Sequence, residues 1–271
     1  MPIKQYRSFL FVPATRPERI AKAHASEADV VIVDLEDAVA PSDKDEARRL
    51  LRDYLTSTRG SEILVRVNST QPEFEKDLAM CAQFPSVTGI MLPKAETNQQ
   101  IEQAAACGKP VWPIIESAKG LVSLQSLAFT RGVERLTFGA LDLATDLNLE
   151  PRTSGANTLL DQCRYQLVVC SRAAKLPPPI ESVVPEIHDI EQVGSVARRA
   201  VEMGFAGMLS IHPKQIPSIH KAFTPSENLV LWARRVLEAA KTVDGAFQLD
   251  GQMVDEPVIS RAKSLLARAR V

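Results

Sequence analysis

Aromatic residues are scarce in this chain: nine Phe, three Tyr and two Trp make up 5% of 271 residues. Neither sign of charge is in surplus, since 32 Lys and Arg oppose 33 Asp and Glu. A nucleic-acid partner needs basic charge to neutralise phosphates and rings on which bases can stack, so these two absences argue against one. Long apolar runs are absent too. None approaches the roughly 18 residues of a membrane span, and the opening run of "MPIKQYRSFLFVPATRPER" soon meets Pro, Arg and Glu. The expectation is a soluble, cytoplasmic protein with no membrane association. Cysteine is limited to Cys81, Cys107, Cys163 and Cys170, which fall in helix-like patterns without a CxxC pair. They read as reduced, mostly buried thiols and not as metal ligands. No GxGxxG or GxxxxGK[ST] follows an early strand, and Ser8, Ser117 and Ser210 lack a context such as GxSxG. The sequence signals for a dinucleotide fold, a P-loop and a serine nucleophile are therefore missing.

What is present is a repeat of short apolar runs and longer amphipathic segments. Eight runs, "SFLFVP", "DVVIVDL", "EILVRVN", "TGIMLPK", "VWPIIE", "RLTFGA", a weak "PIESVV" and "AGMLSIHP", are continuous, as in strands buried on both faces. Segments such as "DKDEARRLLRDYL" and "DIEQVGSVARRAVEMG" lie between them, with apolar residues recurring at three and four positions. Strand then helix, repeated, implies parallel βαβ units. An open doubly wound sheet also accommodates seven crossovers, but eight repeats are what a closed (β/α)₈ TIM barrel requires. The expected division is a barrel over residues 1–225 and a C-terminal appendage of helix and turn over residues 226–271.

Active sites of such barrels lie where strands end and βα loops begin. Six strands here end in charged or polar groups: Asp34, Glu36 and Asp37 after the second, Arg66 and Asn68 after the third, Lys94, Glu116, Asp142 and His212 after later ones. Crowded carboxylates raise one another's pKa unless a cation sits among them, and one or two carboxylates plus water suit Mg²⁺. The acidic mouth therefore predicts a divalent metal. Some of these residues also have plainer readings. Asp34 can bond backbone donors at the rim, His212 before a proline can fix a loop, and Trp112 and Trp232 fit core or interface packing. His24, His188 and His220, in or beside helices, are expected at the surface.

The segments "RSFLFVPATRPERIAKA", "VVIVDLEDAV", "RVN", "LPKAE", "IIESAKGL", "FGALDLATDLN", "SIHPKQI" and "DGQMVDEPVI" together resemble the citrate lyase β-subunit-like branch of the aldolase/citrate lyase superfamily. The resemblance spans nearly the whole chain. It implies that Glu116 and Asp142 ligate Mg²⁺, that Arg66 binds a 2-oxo acid, and that Glu36 and Asp37 hold metal-bound water and line the substrate site. Asp255 matches an acid/base aspartate that reaches into a neighbouring subunit's barrel. Lys22 matches one of the lysines that meet coenzyme A phosphates in some relatives, with Arg16, Arg19 and Lys94 as further basic groups and Glu18 opposing them. Glu181 stands where relatives commonly have an aspartate and receives no role.

The implied chemistry is Mg²⁺-dependent carbon–carbon cleavage of a 3-hydroxy-3-carboxyacyl thioester, of malyl- or citramalyl-coenzyme A type, into an acetyl thioester and a 2-oxo acid, or the reverse condensation. Two other readings stand beside it: a citrate lyase β-subunit acting on a thioester held by an acyl carrier protein in a multi-subunit complex, and a non-catalytic binding homologue. The residues around Asp255, "VDGAFQLDGQMVDEP", are turn-rich and weakly anchored, which favours docking on a neighbour with burial of Phe247, Leu249 and Met253. The resemblance implies a homotrimer or higher homo-oligomer.

Overall fold

A computed structural model describes residues 6–58, 60–241, 243 and 245–269. Eight parallel strands close into one barrel: β1 (Ser8–Pro13), β2 (Val30–Asp34), β3 (Ile63–Arg66), β4 (Val87–Leu92), β5 (Val111–Ile115), β6 (Thr137–Phe138), β7 (Ile180–Glu181) and β8 (Gly207–Ser210). Closure is made by β8 against β1, where Phe9 lies opposite Leu209. The TIM barrel expected from the eight repeats is present. The weakest sequence signal, "PIESVV", forms a strand of two residues, held to its neighbours at Ile180 and Glu181.

Helices follow the strands: α1 (Glu18–His24), α2 (Lys44–Ser57), α3 (Glu73–Cys81), α4 (Asn98–Ala105), α5 (Ala118–Ala128), α6 (Ala140–Asp146), α7 (Ser154–Ala173), α8 (Ile190–Glu202) and α9 (Ile216–Phe223). Their starts follow local chemistry. Thr97 and Gln100 make a reciprocal capping box on α4, and the Ser117 hydroxyl accepts from the Gly120 amide on α5.

Period two divides each strand between two cores. Outward residues such as Val31, Val33, Val65 and Ile115 pack against the helices. Phe9, Ile32, Leu64, Met91, Trp112, Ile114, Ile180 and Leu209 point inward and fill the barrel. Trp112 belongs to this interior, its ring centroid 5.6 Å from that of Phe9. Gly89 makes room for it: a Cβ there would stand 2.8 Å from Leu64 Cδ2 and 3.1 Å from Trp112 Nε1. The four cysteines are free thiols, Cys81 and Cys163 buried and the other two half-buried.

Beyond the barrel, α10 (Glu227–Ala239), the hairpin β9 (Phe247–Leu249) and β10 (Gln252–Val254), and α11 (Glu256–Arg268) form the appendage. It has a small core of its own, with Ala233, Val236, Val254, Ala262 and Leu265 buried and Trp232, Phe247 and Leu249 packed against them. The turn-rich segment is thus better anchored than its sequence suggests. Phe247 and Leu249 are partly covered by their own chain, and Met253 is the one of the three that stays exposed, at 68%.

Candidate active site

Asp34, Arg66 and Glu116 each lie two positions beyond an interior residue, Ile32, Leu64 and Ile114 respectively. Alternation therefore turns all three side chains into the barrel, as its uppermost layer. Arg66 is the hub. Its Nε and Nη2 donate to Asp34 Oδ1 and Oδ2 at 2.7 and 2.6 Å, while Nη1 lies 3.3 Å from Glu36 Oε2 and 3.8 Å from Asp37 Oδ2. The guanidinium carbon rests 4.8 Å from the centroid of Phe11. Burial works against the charge of Arg66, but the Asp34 pair outweighs it and raises the pKa.

Glu36 is buried and joined to two cations, because Lys94 Nζ donates to its Oε1 at 2.5 Å. Burial nevertheless raises its pKa against the pull of Arg66 and Lys94. Lys94 serves the site twice. Its backbone has a left-handed φ of 50°, and its amide donates to Glu116 Oε1 at 2.7 Å. Glu116 is 5% exposed, and burial, with Asp142 and Glu36 adding to it, pushes its pKa to about 7 despite the Lys94 amide. Asp142 stands exposed in the first turn of α6, close enough for its charge to be felt at Glu116. Gly139 keeps the space beside Glu116 open: a Cβ at this glycine would lie 2.6 Å from Glu116 Oε2. Among the described residues no three His, Cys, Asp or Glu converge as a complete metal cage. One buried carboxylate and one exposed carboxylate near enough to raise its pKa are what the protein offers.

Several neighbouring groups that the motifs do not advertise hold this layer in place. Lys44 Nζ donates to the carbonyls of Leu35 and Glu36 at 2.7 and 2.6 Å, and Asn68 Nδ2 donates to the Leu35 carbonyl at 2.9 Å. Asn68 points outward, to the buried Asp77, which also binds Arg48. On the far side Ser117 donates to Glu96, and Asp146 accepts from the Ala118 amide. Lys44 opens α2 and Asn68, Glu96 and Ser117 lie just beyond strand ends, whereas Asp146 closes α6.

The remaining candidates lie apart. Lys22 is exposed on α1, outside this bonded set, and Arg16 is bound to Glu18 at 2.6 Å, which sets Glu18 against the nearby basic charge. Asp255 caps α11, accepting from the Val258 amide, and is not bonded to the mouth residues. His212 fixes a loop, its Nδ1 accepting from the Lys214 amide at 3.2 Å. One expectation changes. His220 is not a free surface residue but lies 2.8 Å from the buried Ser8 hydroxyl and near Asp29, tying α9 to β1. Glu181 faces outward, where Arg164 of α7 binds both its oxygens.

A family model described as HpcH/HpaI aldolase/citrate lyase matches residues 7–213. The chain belongs to this family. The membership bears out the expected class of carbon–carbon lyase and leaves the substrate open. The citrate lyase subunit beta-like protein of Mycobacterium tuberculosis is 38% identical over 265 residues, which cover 96% of this chain and 94% of that protein. A (3S)-malyl-CoA thioesterase of Cereibacter sphaeroides is 30% identical, with 97% and 94% covered. Among solved structures, protein CitE of M. tuberculosis in complex with magnesium, acetoacetate and coenzyme A superposes with a TM-score of 0.88 at 36% identity, covering 99% of both chains. No helix among the described residues is long and apolar enough to cross a membrane.

Proposed function

We propose that the chain is a Mg²⁺-dependent lyase that cleaves, or in reverse forms, a 3-hydroxy-3-carboxyacyl coenzyme A thioester of malyl or citramalyl type. What supports this is a buried carboxylate, Glu116, that feels the charge of the exposed Asp142, beside a guanidinium whose Nη1 side is turned to Glu36 and the exposed Asp37. The carboxylates fit Mg²⁺, an ion that takes oxygen ligands from one or two carboxylates and keeps the rest for water and substrate. The room that Gly139 leaves beside Glu116 Oε2 supports the same fit. Bound there, Mg²⁺ supplies Lewis-acid polarisation of the substrate's carboxylate and hydroxyl oxygens.

The other steps fall to the chain itself. Arg66 binds the carboxylate of the oxo acid and orients it over Phe11. Glu36 and Asp37 hold water and line the same face, and Lys94 keeps Glu36 in place. The enolate of the acetyl thioester gains its proton at carbon from Asp255, supplied by a neighbouring subunit of a homotrimer or larger ring. In that arrangement residues 226–271 are the extension that docks, and the exposed Met253 marks its contact face. Lys22 on α1 meets the coenzyme A phosphates.

The test is a spectrophotometric screen of purified protein with Mg²⁺ against acyl-coenzyme A esters, with the corresponding acyl carrier protein thioesters as a second arm. Release of an oxo acid from malyl- or citramalyl-coenzyme A supports the reading. Turnover confined to the carrier-protein arm transfers it to the citrate lyase type, and binding without turnover in either arm overturns it.

A further inference from the structure

The sequence "VDLED" holds three carboxylates, and two of them face the mouth as substrate and water ligands in the reading above. Asp34 does something else. It is 1% exposed, and its two oxygens accept four hydrogen bonds: Oδ1 from Arg66 Nε and the Glu36 amide at 2.7 and 2.9 Å, Oδ2 from Arg66 Nη2 and the Ala38 amide at 2.6 and 3.1 Å. A carboxylate with four fixed donors has no lone pair left for a metal or a substrate. We infer that Asp34 is a positioning residue that locks Arg66 and the 35–38 turn in one geometry, so that Arg66 meets the oxo-acid carboxylate through its Nη1–Nη2 end and never through the Nε edge.

The geometry argues this in two ways. A guanidinium has two edges that match a carboxylate, and Asp34 occupies the Nε–Nη2 edge in a two-point pair, which leaves the end that faces Glu36 and Asp37. The same carboxylate fixes the amides of Glu36 and Ala38, while Lys44 holds the Leu35 and Glu36 carbonyls from outside, so the turn is gripped on both sides. Moving Asp34 therefore disturbs Arg66 and Glu36 together. A direct ligand would disturb neither.

The inference rests on the reading of Arg66 as the oxo-acid site, and the test separates the two. With ¹⁵N-labelled arginine, the Arg66 Nε–H should exchange slowly with solvent in the native protein and lose that protection in Asp34→Asn. In the presence of Mg²⁺, Asp34→Asn should weaken pyruvate binding about tenfold, Arg66→Lys should weaken it at least as much, and the double variant should be no weaker than Arg66→Lys alone. Asp34→Ser, which keeps an acceptor for the turn amides but loses the two-point partner, provides a second variant with the same expectation. Losses that simply add, or an Asp34→Asn protein with native pyruvate affinity, overturn the inference. If native protein binds no pyruvate, the oxo-acid reading fails, and Arg66 Nε–H protection that survives in Asp34→Asn or Asp34→Ser still overturns the positioning role.

Discussion

Two arginines in this barrel, Arg66 half-buried and Arg164 buried, make the same bond to different ends. Arg66 and Asp34 join β3 to β2 inside the mouth, and Arg164 and Glu181 join α7 to β7 in the outer wall, each through two parallel contacts. In the wall every side of the guanidinium is taken, since Nη1 donates to Asp161 at 3.0 Å and the Phe138 ring centroid lies 5.3 Å from the guanidinium carbon. At the mouth, Nη1 faces Glu36 and the exposed Asp37, both on the loop after β2. The difference lies in strand parity and not in residue type. A charged pair on the outward face of a strand completes packing, whereas one on the inward face at a C-terminal strand end keeps an unspent donor for a ligand.

The strongest way to break the comparison is at the proposed metal carboxylates, Glu116 and Asp142. Glu116→Gln and Asp142→Asn should each lower Mg²⁺-dependent turnover by about 10³-fold or more with the fold intact by circular dichroism, because Gln keeps the size and shape of the buried Glu116 side chain and Asp142 is exposed. Native Mg²⁺ affinity and activity in either variant would remove the proposed metal site.

Next in size is the contrast between the arginines themselves. Arg66→Lys should raise KM for the oxo acid about 30-fold while barely moving Tm, since a lysine ammonium keeps the charge and loses the planar two-point geometry. Glu181→Gln should do the reverse. It removes the buried one of the two carboxylates that Arg164 binds and leaves only Asp161, costing about 3 kcal/mol of stability, with KM unchanged. Thermal denaturation and steady-state kinetics on both variants read the two effects side by side. A stable Glu181→Gln with a raised KM would erase the distinction.

A pH titration sharpens the same picture. Glu116, pushed up to about 7, must lose its proton before it can ligate Mg²⁺. Below that value the native protein holds a proton there that the metal must displace, so Mg²⁺ affinity should fall by up to about tenfold per pH unit from 7 to 6 and level off above 8. Calorimetry in two buffers of different ionisation enthalpy should show proton release on binding at pH 6.5. Equal heats in both buffers at that pH would contradict the shifted carboxyl.

The smallest expected signal is shared activity between subunits. Asp255→Asn and Glu116→Gln proteins, each inactive alone, should regain part of the activity when mixed and reassembled, with hetero-oligomers confirmed by native mass spectrometry. Reassembled material at background activity would place the action of Asp255 in its own subunit or nowhere.

The pattern of strands and helices was legible because continuous β-branched runs and amphipathic segments follow from local periodicity, as did the charged strand ends that mark the mouth. Even the weak "PIESVV" had the right place in the order. Three features were not legible. The turn at Asp250 and Gly251 carries a local hairpin signal, but the core that the hairpin forms with α10 and α11 depends on three elements meeting, which no single periodicity reveals. His220 appeared to be a surface residue because its helix is amphipathic, yet its side chain meets Ser8, 212 positions earlier. The expectation that Asp34 bonds backbone donors at the rim holds at the Glu36 and Ala38 amides, but its pair with Arg66 on the neighbouring strand was not legible.

What this sequence determines by itself is the order of elements, the alternation that fills the barrel and the set of charged residues delivered to its open end, because these depend on spacing along the chain. Which carboxylate meets which cation was decided only in three dimensions. Glu36 finds Lys94 from 58 positions away, and Asp34 finds Arg66 from 32. Barrel closure brings these strand ends together, and a buried carboxylate pairs with whichever opposite charge the surrounding strand ends place within hydrogen-bonding reach.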